Sequence, residues 1–194
     1  MSANRNSLAD VRSCDGNTLK TNPMQNITKE KAFDLLDAGQ PIKDSYVDGK
    51  VEIVISGSWE KDVTIENCLI ENFRGSVTQF EKPVRFTNTY FKNCEFLYSY
   101  FIGGLIIEHC TFDSYLDFQA GGHNKPTHEI VIKNSDFNEF VNFFDCWYQG
   151  PISIIGNRFH KGTNIGSQKQ LITFDFPPTI KDNVGQIDIE SEMT

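Results

Sequence analysis

Two histidines and a glutamate in one short stretch are the first residues whose types and spacing suggest chemistry. His123, His128 and Glu129 fall in GGHNKPTHE, where imidazole and carboxylate groups could together bind a metal ion. Such a site needs a further protein ligand, and none is evident in the sequence. We interpret the stretch as a surface turn, and we predict neither a metal nor a cofactor.

Glu66 and Glu108 come nearest to a pair of catalytic carboxylates. They occupy the same position in two copies of a repeated segment, with Thr87 at that position in the copy between. If the copies stack as parallel strands, the two carboxylates lie about 10 Å apart, at or beyond the spacing of an inverting glycosidase pair. A solvated strand face explains the column without further assumptions, and no nucleotide-binding or acyl-transfer motif is present. We predict a protein that is not an enzyme.

The five cysteines contain no C-x-x-C pair, which argues against a zinc ribbon or a redox dithiol. Cys68 and Cys110 recur at one small-residue position of the repeat, and Cys94 lies two residues before Phe96. We expect these three thiols to be buried and inert. The environments of Cys14 and Cys146 stay open.

Composition restricts the class of protein. A net charge of -8 argues against direct nucleic-acid binding, because phosphate neutralisation requires concentrated Lys and Arg. Sixteen Phe residues and scarce Leu favour β structure. No stretch approaches the roughly 18–20 apolar residues of a membrane span, and the N-terminus has no apolar core of a signal peptide. We expect a cytoplasmic protein, although a cleaved signal peptide would leave the same picture.

One motif recurs five times and is the strongest signal in the sequence. The copies begin at Val63, Val84, Leu105, Ile130 and Ile152, so the steps are 21, 21, 25 and 22 residues. The long step contains an inserted loop at residues 120–128. Apolar and polar residues alternate within each copy, as in a strand with one buried face.

Alignment of the copies gives columns of similar residues, which predict a right-handed parallel β-helix of about six coils of roughly 21 residues. An antiparallel barrel would not keep its turn residues in register at a fixed step. The predicted core stack is Ile65, Phe86, Ile107, Ile132 and Ile154, together with Ile70, Phe91, Phe112, Phe137 and Phe159. A predicted ladder of hydrogen-bonded turn residues consists of Asn67, Asn88, His109 and Asn134.

The flanking segments complete a single β-helix domain at residues 27–190. Residues 1–26 are predicted to be an arm, possibly disordered, and residues 27–39 a capping helix with Thr28 as its N-cap and Gly39 as its stop. The coils are expected to span residues 51–190, with residues 51–55 in the first coil and residues 180–189 in a degenerate last one. Residues 174–178 could close the core or pair with a second copy, which would give a homodimer through a β-helix end.

The run FTNTYFKNCEFLYSYF resembles the pentapeptide-repeat family. Phe86, Phe91, Phe96 and Phe101 recur every five residues, with a small residue two places before each of the last three. The resemblance covers residues 28–118 and implies coils with four faces of five residues. The longer coils and the inserted loop depart from that pattern, and the second half is closer to the three-sided β-helices of polysaccharide lyases and phage tail proteins.

These features favour a non-enzymatic structural or interaction protein that presents a rigid acidic surface to a protein partner. Some pentapeptide-repeat proteins resemble duplex DNA and bind DNA gyrase, and the negative charge permits that role. The alternative is a carbohydrate-binding or polysaccharide-cleaving β-helix. The candidate interaction surface comprises His123, His128, Tyr98, Tyr100, Trp147 and Tyr148, with Tyr115 as a further aromatic member.

Overall fold

The structure, a computed structural model, describes residues 24–190, so the predicted arm lies outside it up to residue 23. The chain winds through about seven stacked coils as a right-handed parallel β-helix, and one short helix precedes the coils. In chain order the elements are β1 (Gln25–Thr28), α1 (Lys29–Asp37), β2 (Ile42–Lys43), β3 (Ser45–Glu52), β4 (Gly57–Trp59), β5 (Val63–Glu66), β6 (Leu69–Arg74), β7 (Thr78–Phe80), β8 (Val84–Thr87), β9 (Tyr90–Glu95), β10 (Leu105–Glu108), β11 (Thr111–Phe112), β12 (Leu116–Asp117), β13 (Ile130–Lys133), β14 (Asp136–Phe137), β15 (Val141–Asn142), β16 (Trp147–Tyr148), β17 (Ile152–Ile155), β18 (Arg158–Phe159), β19 (Thr173–Phe174) and β20 (Thr179–Lys181).

Three parallel ladders run along the solenoid. The first ladder has the order β2-β5-β8-β10-β13-β17-β20, and the second has the order β1-β3-β6-β9-β11-β14-β18, with β12 and β15 beside it. The third ladder consists of the pairs β4-β7 and β16-β19, which the single bridges at Tyr100 and Gly122 connect. Each coil therefore contributes strands to the same ladders, and the second ladder bends where β12 and β15 pair beside its main path.

The core is a continuous column of aliphatic and aromatic side chains. The first ladder places Ile65, Phe86 and Ile107 in register, and Ile132 and Ile154 continue the column. In the second ladder the buried rings of Phe91, Phe112, Phe137 and Phe159 stack nearly parallel, with successive centroids 5.0, 5.1 and 5.0 Å apart. All ten residues of the predicted core stack are buried.

A corner with a left-handed backbone joins the first ladder to the second in every coil; we call it the first corner. Asn67, Asn88, His109 and Asn134 have φ values of 53°, 48°, 54° and 50° there, and Gly156 has 67°. Asn, Asp and Gly tolerate this conformation far better than other residues. The column of Asn residues is thus explained by backbone conformation.

The hydrogen-bonded ladder lies one residue further along than predicted. Among the described residues, Asn67 donates to Asp44, but no side-chain hydrogen bond joins Asn88, His109 and Asn134 to one another. In the next column the side-chain oxygens of Thr89, Ser135 and Asn157 accept hydrogen bonds from the backbone N–H of the coil before. The pairs are Cys68 N to Thr89 Oγ1 (3.3 Å), Cys110 N to Ser135 Oγ (3.1 Å) and Ser135 N to Asn157 Oδ1 (3.1 Å).

The N-terminal end carries the predicted capping helix. Helix α1 begins after Thr28, whose Oγ1 accepts a hydrogen bond from Lys31 N (3.3 Å), and its Ala32 and Leu36 are buried on the first coil. Strand β1, which was not predicted, includes residues 25 and 26 of the expected arm and pairs with β3. The first coil begins at Ile42, earlier than the predicted start at residue 51. The prediction was wrong because β2 is only two residues long and gives no periodic signal in the sequence.

No helix within residues 24–190 is long and apolar enough to cross a membrane.

Truncation of a ring in the middle of the phenylalanine stack should strongly destabilise the fold. Phe112→Ala leaves a cavity between two rings and is expected to lower the free energy of unfolding by about 3–5 kcal/mol. The matched control is Phe176→Ala, because Phe176 is exposed and its loss should cost less than about 1 kcal/mol. Urea unfolding followed by circular dichroism measures both, and equal losses would contradict a core built on this stack.

Candidate functional site

Four residues of the candidate interaction surface form one strip on and beside the third ladder: Tyr98, Tyr100, His123 and Trp147. We call this strip the aromatic ledge. The rings of Tyr100 and His123 have centroids 4.1 Å apart, and those of His123 and Trp147 are 5.5 Å apart. Single parallel bridges join Tyr100 to Gly122 and Gly122 to Trp147, so consecutive coils hold the rings one above another. The backbone ladder positions the ledge.

Trp147 is fixed at the end of the ledge yet remains exposed. Its indole Nε1 donates a hydrogen bond to Asp175 Oδ1 at 2.9 Å, across to the next coil. Its neighbour Tyr148 was predicted to belong to the same surface, and this is wrong. Adjacent strand residues face opposite sides, so Tyr148 is buried, with its ring 5.4 Å from that of Phe174.

His128 lies apart from the ledge in the inserted loop. Its Nδ1 is 3.1 Å from Thr127 Oγ1, and its backbone carbonyl accepts a hydrogen bond from Asn124 Nδ2 (2.6 Å). The fully buried Asn124 also donates to Pro151 O (3.0 Å) and therefore clamps the loop against the next coil. Within residues 24–190 no cluster of three His, Cys, Asp or Glu side chains could hold a metal ion.

Burial determines the charge state of His123. Desolvation lowers the pKa of its imidazole, while a hydrogen bond with Gln149 and the charge of Asp145 act in the opposite direction with smaller effect. The ring between Tyr100 and Trp147 is therefore neutral at neutral pH. The ledge presents an uncharged aromatic surface under those conditions.

A second corner, between the second and third ladders, also has a left-handed backbone in every complete coil. Its φ values are 48° at Ser56, 56° at Val77, 55° at Tyr98, 52° at Ala120, 57° at Asp145 and 56° at Leu171. A β-branched or bulky residue in this region is a conformational outlier that costs roughly 1–2 kcal/mol. Val77, Tyr98 and Leu171 are nevertheless exposed, by 38%, 50% and 64%. Neither backbone preference nor burial explains these side chains.

The carboxylates that suggested catalysis lie in ion pairs on the outer face of the first ladder. Glu66 Oε2 is 2.6 Å from Lys43 Nζ, and Glu108 Oε1 is 2.7 Å from Lys133 Nζ. Each pair joins adjacent coils. Lys and Glu side chains of adjacent coils thus neutralise each other on a partly solvated face of the solenoid.

The four described cysteines are buried. Desolvation raises the pKa of Cys68 to about 11 and that of Cys110 and Cys146 to about 12, and it raises the pKa of Cys94 well above its usual value. Since the thiolate is the nucleophile and the metal ligand, these thiols are unreactive in the folded protein. Cys14 lies outside the described residues.

The depressed pKa of His123 should appear in the pH dependence of stability. The folded protein binds the proton less readily than the unfolded chain, so this contribution is present above the unfolded pKa and is lost as pH falls through the folded pKa. His123→Gln should reduce the loss of urea stability between about pH 8 and about pH 5. His109→Gln is the control, because His109 is exposed at the first corner. Identical pH profiles for His123→Gln and the wild type would rule this contribution out.

No protein-family model matches this chain, and neither a curated protein nor a solved structure does. The resemblance to pentapeptide repeats stays a prediction. The functional case therefore depends on the aromatic ledge, the second corner and the surfaces beside them.

Proposed function

We propose that this protein is a non-enzymatic interaction scaffold that binds another protein through the aromatic ledge and the second corner. The single observation that carries this proposal is the presence of exposed, apolar and conformationally disfavoured residues at the second corner. The first corner of the same coils uses Asn, Asp, His and Gly. A contact outside the chain is the remaining reason for Val77 and Tyr98 at these positions.

The two corners form an internal comparison within one molecule. Both require φ near 50°, both lie at the surface, and both recur once per coil. Where only the backbone matters, Asn67, Asn88 and Asn134 meet the requirement at little cost. Strain that is kept at an exposed position in a folded protein supports a functional role for that position.

The chemistry of the ledge suits a protein interface. Tyr and Trp bury large areas, have few rotatable bonds and are enriched among the residues that contribute most to protein binding. Trp147 is already held by Asp175, and Tyr100 packs on His123, so binding would order few additional side chains. The ladders beneath keep the backbone in place, which lowers the entropic cost of association further.

Charges beside the ledge indicate the kind of partner. Asp145, two residues before Trp147, and Asp175, which binds the indole of Trp147 from the next coil, are both exposed, and the whole protein has a net charge of -8. A segment with apolar side chains flanked by Lys or Arg would complement this surface. Such a partner would associate faster at low ionic strength.

A second copy is proposed as a further partner at the far end of the solenoid. Phe176 and Val184 are exposed there, and β20 is the last strand of the first ladder among the described residues. Edge strands with apolar neighbours favour pairing of two molecules. Light scattering decides this point, since a strict monomer excludes it.

Val77→Asn should raise stability and lower partner binding together. Asn tolerates the left-handed backbone, so the free energy of unfolding should rise by roughly 1 kcal/mol. The control is Val54→Asn, because Val54 is similarly exposed but has no left-handed backbone. Urea unfolding measures this half of the prediction, and a loss of stability in Val77→Asn would contradict it.

Trp147→Ala and Tyr98→Ala should abolish retention of the protein partner. Wild-type protein and variants are immobilised, and proteins retained from lysate are compared at low and high salt. Proteins retained by the wild type, lost with both variants and released by salt would be the partner described above. Tyr115→Ala is the control, because Tyr115 is similarly exposed but stacks on Phe140 beside the second ladder and not on the ledge. Retention of the same proteins by all three variants would rule out the aromatic ledge as their binding surface.

A further inference from the structure

A cleft of about 310 Å³ opens on the second ladder, on a face other than the aromatic ledge. Its outer residues are Lys50, Asn72, Arg74, Asn93, Glu95, Leu97, Tyr115 and Asp117. In the second and third coils two residues separate the inward-facing residues at the bend of this ladder, for example between Phe91 and Cys94. In the next coil three residues separate Phe112 from Leu116. The additional residue displaces Tyr115 outward as one wall of the cleft.

Amide side chains line one side of the cleft. Lys50, Asn72 and Asn93 occupy the same position in three consecutive coils. Asn93 Nδ2 donates to Glu71 O at 3.4 Å, and the side-chain amide of Asn72 bonds no other residue within 24–190. The half-buried amide of Asn72 therefore has two donor hydrogens and an acceptor oxygen available for a ligand.

The charged groups of the cleft already compensate one another. Arg74 Nε is 3.1 Å from Glu95 Oε1, which also accepts a hydrogen bond from Ser76 Oγ at 2.8 Å. Lys50 Nζ is 2.6 Å from Glu52 Oε1. An ionic ligand would have to break these pairs. A neutral ligand would use the remaining lone pairs of the carboxylates as acceptors.

The wall of the cleft supplies an aromatic surface. The ring of Tyr115, 39% exposed, stacks on that of Phe140 at 6.2 Å between centroids. Beyond Phe140 a second cleft of about 240 Å³ continues along the same side of the solenoid and is lined by Gln119, Asn142, Phe144, Asn164 and Gln170. In the second cleft Asn142 and Asn164 are buried, and Asn164 Nδ2 donates to Asn142 Oδ1 at 2.8 Å, so this cleft offers a ligand the half-buried Gln119 beside the ring of Phe144. Both clefts therefore combine an amide with an aromatic ring, which matches a ligand that repeats along the axis.

We infer that these two clefts bind a neutral carbohydrate chain. The hydroxyl groups of a sugar donate to the carboxylate of Glu95 and accept from the amides of Asn72 and Asn93. The apolar face of a sugar ring packs on Tyr115. The first cleft is at the lower end of the usual range of ligand pockets and the second lies below it, so each cleft takes only a short part of the chain. This site is independent of the proposed protein interface.

An oligosaccharide array tests the inference directly. The array carries neutral oligosaccharides of glucose, galactose, mannose and N-acetylglucosamine, with carboxylated, sulfated and amino-substituted oligosaccharides beside them. The wild type should retain at least one neutral oligosaccharide, and titration calorimetry with it should show an affinity at least about tenfold lower for Tyr115→Ala. Asn72→Ala should also weaken binding, and it provides a second test if Tyr115→Ala fails to fold.

Tyr98→Ala is the matched control, because this exposed tyrosine belongs to the aromatic ledge and should leave carbohydrate binding unchanged. The inference is overturned if no neutral oligosaccharide is retained or if only charged ones are. It is equally overturned if binding survives both Tyr115→Ala and Asn72→Ala, or if Tyr98→Ala abolishes it. Tyr98→Ala is expected to abolish protein binding only, and Tyr115→Ala is expected to weaken carbohydrate binding only. The failure of one proposal is therefore distinguishable from the failure of the other.

Discussion

Each coil of this protein has to follow the backbone path of the coil beneath it. Parallel ladders pair N–H and C=O groups only where consecutive strands stay in register, and a buried polar group without a partner costs about 1–3 kcal/mol. The left-handed corners recur for this reason with almost constant φ. The side-chain oxygens of Thr89, Ser135 and Asn157 serve the same requirement, because they accept backbone N–H groups where no strand carbonyl does.

This constraint explains what could be predicted from the sequence. Stacked positions share one environment, so the core columns and the first corner were visible as repeated residue types, and Gly39 marked the chain just after the end of helix α1. Strand β1 and the start of the first coil at Ile42 were missed, because single short strands carry no period. Tyr148 was misplaced because two adjacent aromatic residues do not reveal which one faces inward. The cleft had no signal in the alignment, since it arises from one additional residue at a bend.

Positions that depart from the constraint are the informative ones for function. A residue type that suits its column needs no explanation beyond folding, as with Asn88. Val77 does not suit its column, and its side chain is exposed as well. In an ordinary loop the same valine would carry little information, because no repeated positions would show which φ the backbone must adopt there. Here the neighbouring coils define the requirement, so the exception can be recognised.

The fourth coil, residues 105–129, shows how both candidate surfaces arise from the same fold. It is four residues longer than the coil at 84–104, which has 21. One of these residues lies at the bend before Leu116 and exposes Tyr115, and the other three follow Gly122 in the loop clamped by Asn124. The ladders on either side keep their register across this coil. In a stack of coils, an insertion at a corner changes only its neighbourhood, so the ledge and the cleft can differ in chemistry while one core supports both.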